Sequence, residues 1–185
     1  MFFALILLAL IAGVILWVIG LYNGLVGLRN QVANSWKQID VQLKRRHDLI
    51  PNLVNTVKGM MKFEQDTLER VMQARAKAVS AVGVGPKGQA EGELTQSLGR
   101  LFAVMEAYPE FKSNQNALQL QEELASTENK ISFARQHYND AVRLNNTAIE
   151  TIPTSWIAPM AKVARRDYFE LDPTDPSRNP VQVQF

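Results

Sequence analysis

Residues 2–22 read FFALILLALIAGVILWVIGLY and carry no charged side chain; the first in the chain is Arg29. A helix rises about 1.5 Å per residue, so this run is long enough for a bilayer core of about 30 Å. Trp17 and Tyr22 lie near its second end, where amphipathic rings favour the lipid headgroups. The run predicts a transmembrane anchor, which we place at residues 1–27.

Two other interpretations of this run fit less well. A cleavable signal peptide has basic residues before a shorter apolar stretch, and no basic residue precedes this one. A buried core helix is rarely apolar over such a length. Basic residues follow the run, and the nearest are Arg29, Lys37, Lys44, Arg45 and Arg46. This asymmetry predicts a single-pass protein with its N-terminus outside and its domain in the cytoplasm.

Beyond the anchor, apolar residues recur every three or four positions, as on one face of a helix. They are Leu28, Val32, Trp36, Ile39, Leu43, Ile50, Val54, Val57, Met61, Leu68, Met72 and Val79. Pro51 lies within this pattern and deprives the carbonyl of His47 of its helical partner. We therefore expect a kink or a break within residues 49–52.

The rest of the chain also reads as helices without strands. The pattern predicts a loop at 83–92 (GVGPKGQAEG), followed by a helix over 94–105 that is ended by Tyr108-Pro109. It then predicts a helix over 114–149, a short amphipathic helix over 154–166 and an irregular, proline-containing tail. The expected fold is all-α, with a transmembrane helix (1–27) continuing into an elongated antiparallel bundle (28–152), then the short helix (153–167) and the tail (168–185).

The chain offers little catalytic chemistry. It has no cysteine, and its 20 basic and 18 acidic residues give a net charge of only +2, which does not indicate nucleic-acid binding. A di-iron bundle needs Glu-x-x-His, but Lys44 precedes His47 and Ala134 precedes His137 at that spacing. Residues 83–92 lack the phosphate-loop pattern. We expect no enzyme activity, no catalytic residue, no cofactor, no metal and no small-molecule substrate, and both histidines solvated.

Two groups of residues are candidates for binding or for ion pairs inside the bundle. The first lies in one stretch of helix and comprises Trp36, Asp40, Lys44, Arg45, Arg46, Asp48 and Asn52. Asp40 and Lys44 can pair across one turn, which leaves the arginines for the bundle or for lipid or a partner. The second group is polar residues within the apolar stripe of the 114–149 helix, namely Gln121, Glu128, Arg135 and Asn145. Because buried charge must be paired, Glu128 and Arg135 are expected to meet Arg45, Arg46 or Arg75 and to fix helix register.

The short helix over 154–166 is a third candidate. Trp156 and Met160 lie on it with Lys162, Arg165 and Arg166 close by. Such a helix either closes the end of the bundle or lies on an anionic membrane.

Several motifs resemble those of the LemA family. They are Tyr22-Asn23-x-Leu25-Val26 after the apolar run, the stretch from Trp36 to Leu53, Tyr108-Pro109, the stretch from Glu123 to Asn139, and Tyr168-Phe169. The resemblance implies a protein of the bacterial inner (cytoplasmic) membrane with a helical-bundle domain and no established catalytic activity. A magnetosome protein among the family's relatives implies a role in shaping or organising membrane.

The expected function is therefore that of a membrane-anchored scaffold that touches lipid and associates with itself. Gly20 and Gly24 fit the small-residue spacing that lets helices approach in lipid. The alternative is an accessory or adaptor subunit of another membrane complex, such as a protease or a transport machine, bound through residues 36–53.

Overall fold

A computed structural model describes residues 1–59, 65–108, 111 and 113–170. Five helices lie wholly within these residues: α1 (Phe2–Lys58), α2 (Gln65–Ser80), α3 (Val84–Glu106), α4 (Gln115–Glu150) and α5 (Thr154–Ile157). The described part of the chain contains no strand, so the predicted all-α class, with a long apolar helix followed by a helical bundle, is confirmed.

Helix α1 has 57 residues and begins in the apolar run. Every residue from Met1 to Trp17 is exposed, although all of them are apolar. By length and composition α1 is a candidate to cross a membrane. An exposed apolar surface of this size would be unfavourable in water, so this end of α1 is suited to lipid.

Pro51 does not break α1, which continues to Lys58. The carbonyl of His47, which loses its helical partner to the proline, accepts a hydrogen bond from Arg75 Nε at 2.7 Å. A side chain from α2 thus replaces the missing backbone donor. Of the kink or break expected within residues 49–52, the break is absent, because a neighbouring helix satisfies the freed carbonyl.

The loop predicted at 83–92 is also wrong, because α3 begins at Val84. Gly83, at φ 93°, makes the turn between α2 and α3, a conformation that glycine adopts at little cost. Pro86 lies in the first helical turn, where its missing N–H is tolerated. Gly88 lies on the buried face, and a Cβ built there would overlap the carbonyl oxygen of Glu170. Its role is close packing rather than chain reversal.

The chain divides into two compact units, which we describe separately. The bundle unit comprises residues 39–135 and continues from Tyr168, within the described residues to Glu170. Its apolar core joins α1, α2, α3 and α4 through Ile50, Leu53, Val57, Leu68, Val71, Leu94, Leu98, Leu101, Met105 and Leu124. The predicted Met61, Pro109 and the tail from residue 171 lie outside the described residues.

The anchor unit comprises residues 1–38 and 136–167. Leu25 of α1 is buried in a cluster with Ile157, Ala158, Ala161 and Val163, and parts of α1 and α4 pack against that cluster. Trp36 and Tyr138 pack with ring centroids 5.4 Å apart. Low-numbered residues of α1 thus meet high-numbered residues of α4, so the two helices are antiparallel here.

The short helix is shorter than the predicted range 154–166. Lys162 has φ 52°, and the N–H groups of Lys162 and Val163 donate to the carbonyls of Pro159 and Ala158. This is a Schellman ending, in which a left-handed residue terminates helical turns. Residues 163–170 then carry no helix or strand.

Helix α4 holds this irregular segment through polar side chains. The Asn145 side chain donates to the Ala164 carbonyl at 3.0 Å, and Asn146 bonds the carbonyl and the N–H of Arg166 at 2.9 Å each. The Tyr138 hydroxyl donates to the Asp167 carbonyl at 3.0 Å. Burial, reinforced by Asp167 and opposed by Arg166, raises the pKa of Tyr138, so this hydroxyl keeps its proton at neutral pH.

Replacement of Gly88 tests the close packing at α3. We expect Gly88→Ala to lower the free energy of unfolding of the full chain by about 1–3 kcal/mol, because the new methyl group overlaps Glu170. Gly85→Ala is the matched control. Its Cβ meets no atom of the described residues beyond its own helical turns within 4 Å, and it should be neutral or stabilise α3 by up to about 1 kcal/mol. Urea unfolding in detergent micelles, followed by circular dichroism, measures both. Equal effects of the two variants would contradict this packing.

Candidate functional site

The candidate site is a polar layer inside the bundle unit, built around Arg46 of α1. Arg46 is buried, with only 2% of its surface exposed. Its Nη2 donates to Thr95 Oγ1 at 2.7 Å, and its Nη1 lies 3.1 Å from Glu128 Oε2 and 3.4 Å from Glu91 Oε2. One buried cation thus joins α1 to α3 and α4.

Glu91 of α3 is the buried anion of the layer, with 1% of its surface exposed. Its second oxygen, Oε1, lies 2.7 Å from His47 Nε2. Both carboxylate oxygens therefore have partners on α1, as a buried charge requires. Arg75 of α2 contacts the same region through the His47 carbonyl. All four long helices contribute to this layer.

Glu91 was missed in the sequence because residues 83–92 read as a loop. The signal that could have found it is the spacing of the α3 stripe, in which Leu94, Leu98, Leu101 and Met105 are separated by alternating steps of four and three. One further step of three toward the N-terminus reaches Glu91. A charged residue in register with a buried stripe indicates a buried ion pair.

The two histidines differ. His47 is buried against Glu91, so the prediction that it is solvated was wrong, whereas His137 is exposed. The error arose because the partner of His47 lies 44 residues away, on a helix that the sequence had not revealed.

The other predicted residues lie largely outside this layer. Asp40, Lys44, Asp48 and Asn52 are exposed, and no ion pair within 4.0 Å joins Asp40 to Lys44 in the described residues. The partner of Arg45 is Glu123, at 3.6 Å on the surface.

Of the two charges predicted in the stripe of α4, only Glu128 meets one of the expected arginines, Arg46. Arg135 is half-buried, and among the described residues no contact joins it to Arg45, Arg46 or Arg75. The expectation for Arg135 was wrong because those three side chains are cations like its own and repel it. Trp36 is half-buried and belongs to the anchor unit.

The layer is separate from the cleft that the structure describes in the bundle unit. A cleft of about 540 Å³ lies between α1 and α2, lined by residues that include Val54, Leu68 and Met72, and no member of the layer lines it. Among the described residues no group of three or more His, Cys, Asp or Glu side chains is placed to hold a metal ion. The charged groups of the layer contact one another, an arrangement that fixes helix register.

Removing the buried carboxylate tests this role. We expect Glu91→Ala to lower the free energy of unfolding by about 3–5 kcal/mol, because Arg46 loses its buried partner and His47 its acceptor. The matched control is Glu93→Ala on the same helix. Glu93 pairs with Lys77 on the surface, so its loss should change stability by at most about 1 kcal/mol. Urea unfolding of the full chain measures both, and similar losses would refute the distinction between buried and exposed pairs.

Comparison with known proteins identifies a family and several relatives. A family model described as LemA family matches residues 35–185, a range that contains every residue of the polar layer. Magnetosome protein MamQ 2 of Paramagnetospirillum magneticum is 25% identical, over 82% of this chain. Magnetosome protein MamQ of Magnetospirillum gryphiswaldense is 24% identical over the same share. Protein LemA of Metamycoplasma hominis is 27% identical over 85% of this chain and 73% of its own length.

The chain spans 65% of the length of the magnetosome relatives. The family model covers most of this chain, including the greater part of both units. The motif resemblance, the all-helical fold and the family model agree. The chain therefore belongs to the LemA family.

Proposed function

We propose that the protein is a non-enzymatic, membrane-anchored structural protein that associates with copies of itself and organises or shapes membrane. Its family and its long apolar helix make it membrane-associated. The observation that carries the proposal is the surface of α1, which is apolar and unpacked from Met1 to Trp17. Contacts with lipid and with other spanning helices would stabilise this surface, which is not packed within the chain's described residues.

The glycines of α1 mark the face on which copies meet. At about 100° per residue, Gly13, Gly20, Gly24 and Gly27 fall within an arc of about 60°. Apart from its own helical turns, no atom of the described residues lies within 4 Å of a Cβ built at any of them. The face is therefore open, and small residues there allow the backbones of two helices to approach closely.

The relatives support the membrane part of the proposal. Two of those reported are named as magnetosome proteins, and together with the LemA family they suggest a membrane-associated protein. We infer from this an organising role at a membrane for the present chain.

We further propose that the protein lies in the bacterial inner membrane with its N-terminus outside and the bundle unit in the cytoplasm. The basic residues that follow the apolar run support this orientation.

Because the chain has no cysteine, single introduced cysteines report the topology directly. In spheroplasts an impermeant maleimide should label Phe2→Cys, and should label Val41→Cys only after lysis. The opposite pattern would reverse the orientation.

The adaptor alternative rests on the exposed part of α1 in the bundle unit. Val41, Lys44, Arg45 and Asp48 form an exposed group that mixes an apolar side chain with charges of both signs. Arg46, being buried, is not available to a partner. This surface is the place where another membrane protein would bind.

Self-association is tested by filling the glycine face. We expect the double variant Gly20→Ile/Gly24→Ile to weaken oligomerisation of the full chain in detergent or nanodiscs by at least about tenfold in Kd, a loss of about 1.4 kcal/mol or more in association free energy. Its unfolding should change little, because both positions face open space. Ala12→Ile adds bulk about 100° from Gly13 and serves as the control that should still associate.

Analytical ultracentrifugation of protein purified from native membranes measures the mass. A strictly monomeric wild-type chain, or glycine variants that associate as the wild type does, would overturn self-association. A stoichiometric complex with a different membrane protein would establish the adaptor function instead.

A further inference from the structure

The anchor unit exposes an apolar group that the transmembrane helix does not account for. Ile152, Trp156 and Met160 are 72%, 71% and 70% exposed. Trp156 and Met160 are spaced four residues apart in the helical turns that include α5, so they lie on one side of those turns, and Ile152 directly precedes them. The opposite side, formed by Ile157, Ala158 and Ala161, is buried. We call residues 152–162 the apex.

Packing against α1 holds the apex at one position along that helix. Its buried side shares a cluster with Leu25, and Val18, Leu21 and Val26 pack against that cluster. These α1 residues occupy the last turns of the apolar run and the turn that follows it. Arg29 Nη1 also donates to the carbonyl of Ala161 at 3.0 Å. The packing therefore fixes the apex beside the end of the run.

This depth corresponds to the lipid headgroups if α1 spans the membrane. Residues 2–22 cover about 30 Å, the thickness of the hydrocarbon core, and the headgroup region adds about 5–7 Å on each side. Leu25 lies about 4–5 Å beyond Tyr22 along the helix axis. A side chain held next to Leu25 is thus at the level where tryptophan is enriched in membrane proteins.

The charges around the apex are those expected at such a surface. Lys162 is exposed at its end, and Arg165 and Arg166 follow directly. Glu150 neutralises Arg165 at 2.8 Å, and Asp167 is the next acidic residue, so cations are in excess around the apex. Exposed apolar and aromatic side chains next to basic ones are the pattern of a segment that lies on an anionic bilayer.

We propose that the apex is a second membrane contact, in which Ile152, Trp156 and Met160 insert into the headgroup region of an anionic bilayer and Lys162 and Arg166 meet lipid phosphates. This contact rests on the proposed span by α1 and extends it, because the protein then holds the bilayer at two points. The apex would resist tilting of α1 and would fix the depth of the anchor unit.

Single cysteines test the contact separately from the span, because the native chain contains none. The variants Met160→Cys, Leu10→Cys and Val41→Cys replace exposed side chains in the apex, the span and the bundle unit. Each full-length variant is labelled with the environment-sensitive fluorophore NBD. It is then reconstituted in vesicles of phosphatidylcholine and phosphatidylglycerol, with and without nitroxide-labelled lipids.

We expect label 160 to be blue-shifted relative to label 41 and quenched several-fold more strongly by a headgroup-level nitroxide. Label 10 should be quenched best by a nitroxide deep in the acyl chains. If label 10 is quenched but label 160 behaves like label 41, the apex contact is wrong and the span stands. If label 10 is not quenched, the span itself fails.

Two controls complete the test. A label at 160 that is blue-shifted but not quenched by lipid nitroxides would show that protein covers the apex, and this would overturn the proposal. In the Ile152→Ser/Trp156→Ser background, quenching of label 160 should fall several-fold while label 10 stays unchanged. Unchanged quenching at 160 in that background would also contradict insertion by these side chains.

Discussion

The ion pair between Arg46 and Glu91 is the constraint on which the bundle unit depends. Removing a carboxylate and a guanidinium from water is unfavourable by several kcal/mol per ion, and this is offset only when each charge is closely partnered. Glu91 therefore has to face α1, and Thr95 and Glu128 complete the partners of Arg46. Apolar packing would tolerate several registers, whereas this set of partners exists in one.

The same region also replaces the backbone hydrogen bond that Pro51 removes from α1. The proline removes the donor for the His47 carbonyl, and Arg75 supplies another from α2. The side chain of His47 meanwhile contacts Glu91 on α3. One residue of α1 thus links two neighbouring helices, through its backbone and its imidazole. The long helix can carry a proline without a break because its neighbours are held in register at that level.

Periodicity was sufficient to predict α4 and the helical character of α1, because a long apolar stripe leaves few alternatives to an amphipathic helix. It did not predict that α1 ends at Lys58. Sequence reasoning failed where one residue type can have either of two structural roles. Gly83 does make a turn, but Gly88 permits the close approach of Glu170, and the local sequence does not separate these roles. The end of the helical turns that follow α5 was missed because Lys162 adopts a left-handed conformation that glycine usually signals.

The candidate site was predicted only in part, for a related reason. Arg46 and Glu128 could be proposed because each lies in a recognisable motif or stripe. Glu91 and His47 could not be joined, because their contact spans 44 residues and depends on the packing of α1 against α3. Such contacts are properties of the tertiary fold, and local spacing carries little information about them.

The central claim is that the buried charges of this LemA-family protein hold the helices of the bundle unit in register. A double-mutant cycle with Arg46→Met and Glu91→Gln measures this directly, through the unfolding free energy of the full chain in micelles. We predict that each single variant is strongly destabilised and that the double variant recovers much of the loss, with a coupling of about 2 kcal/mol or more. Losses that add within about 0.5 kcal/mol would contradict the account.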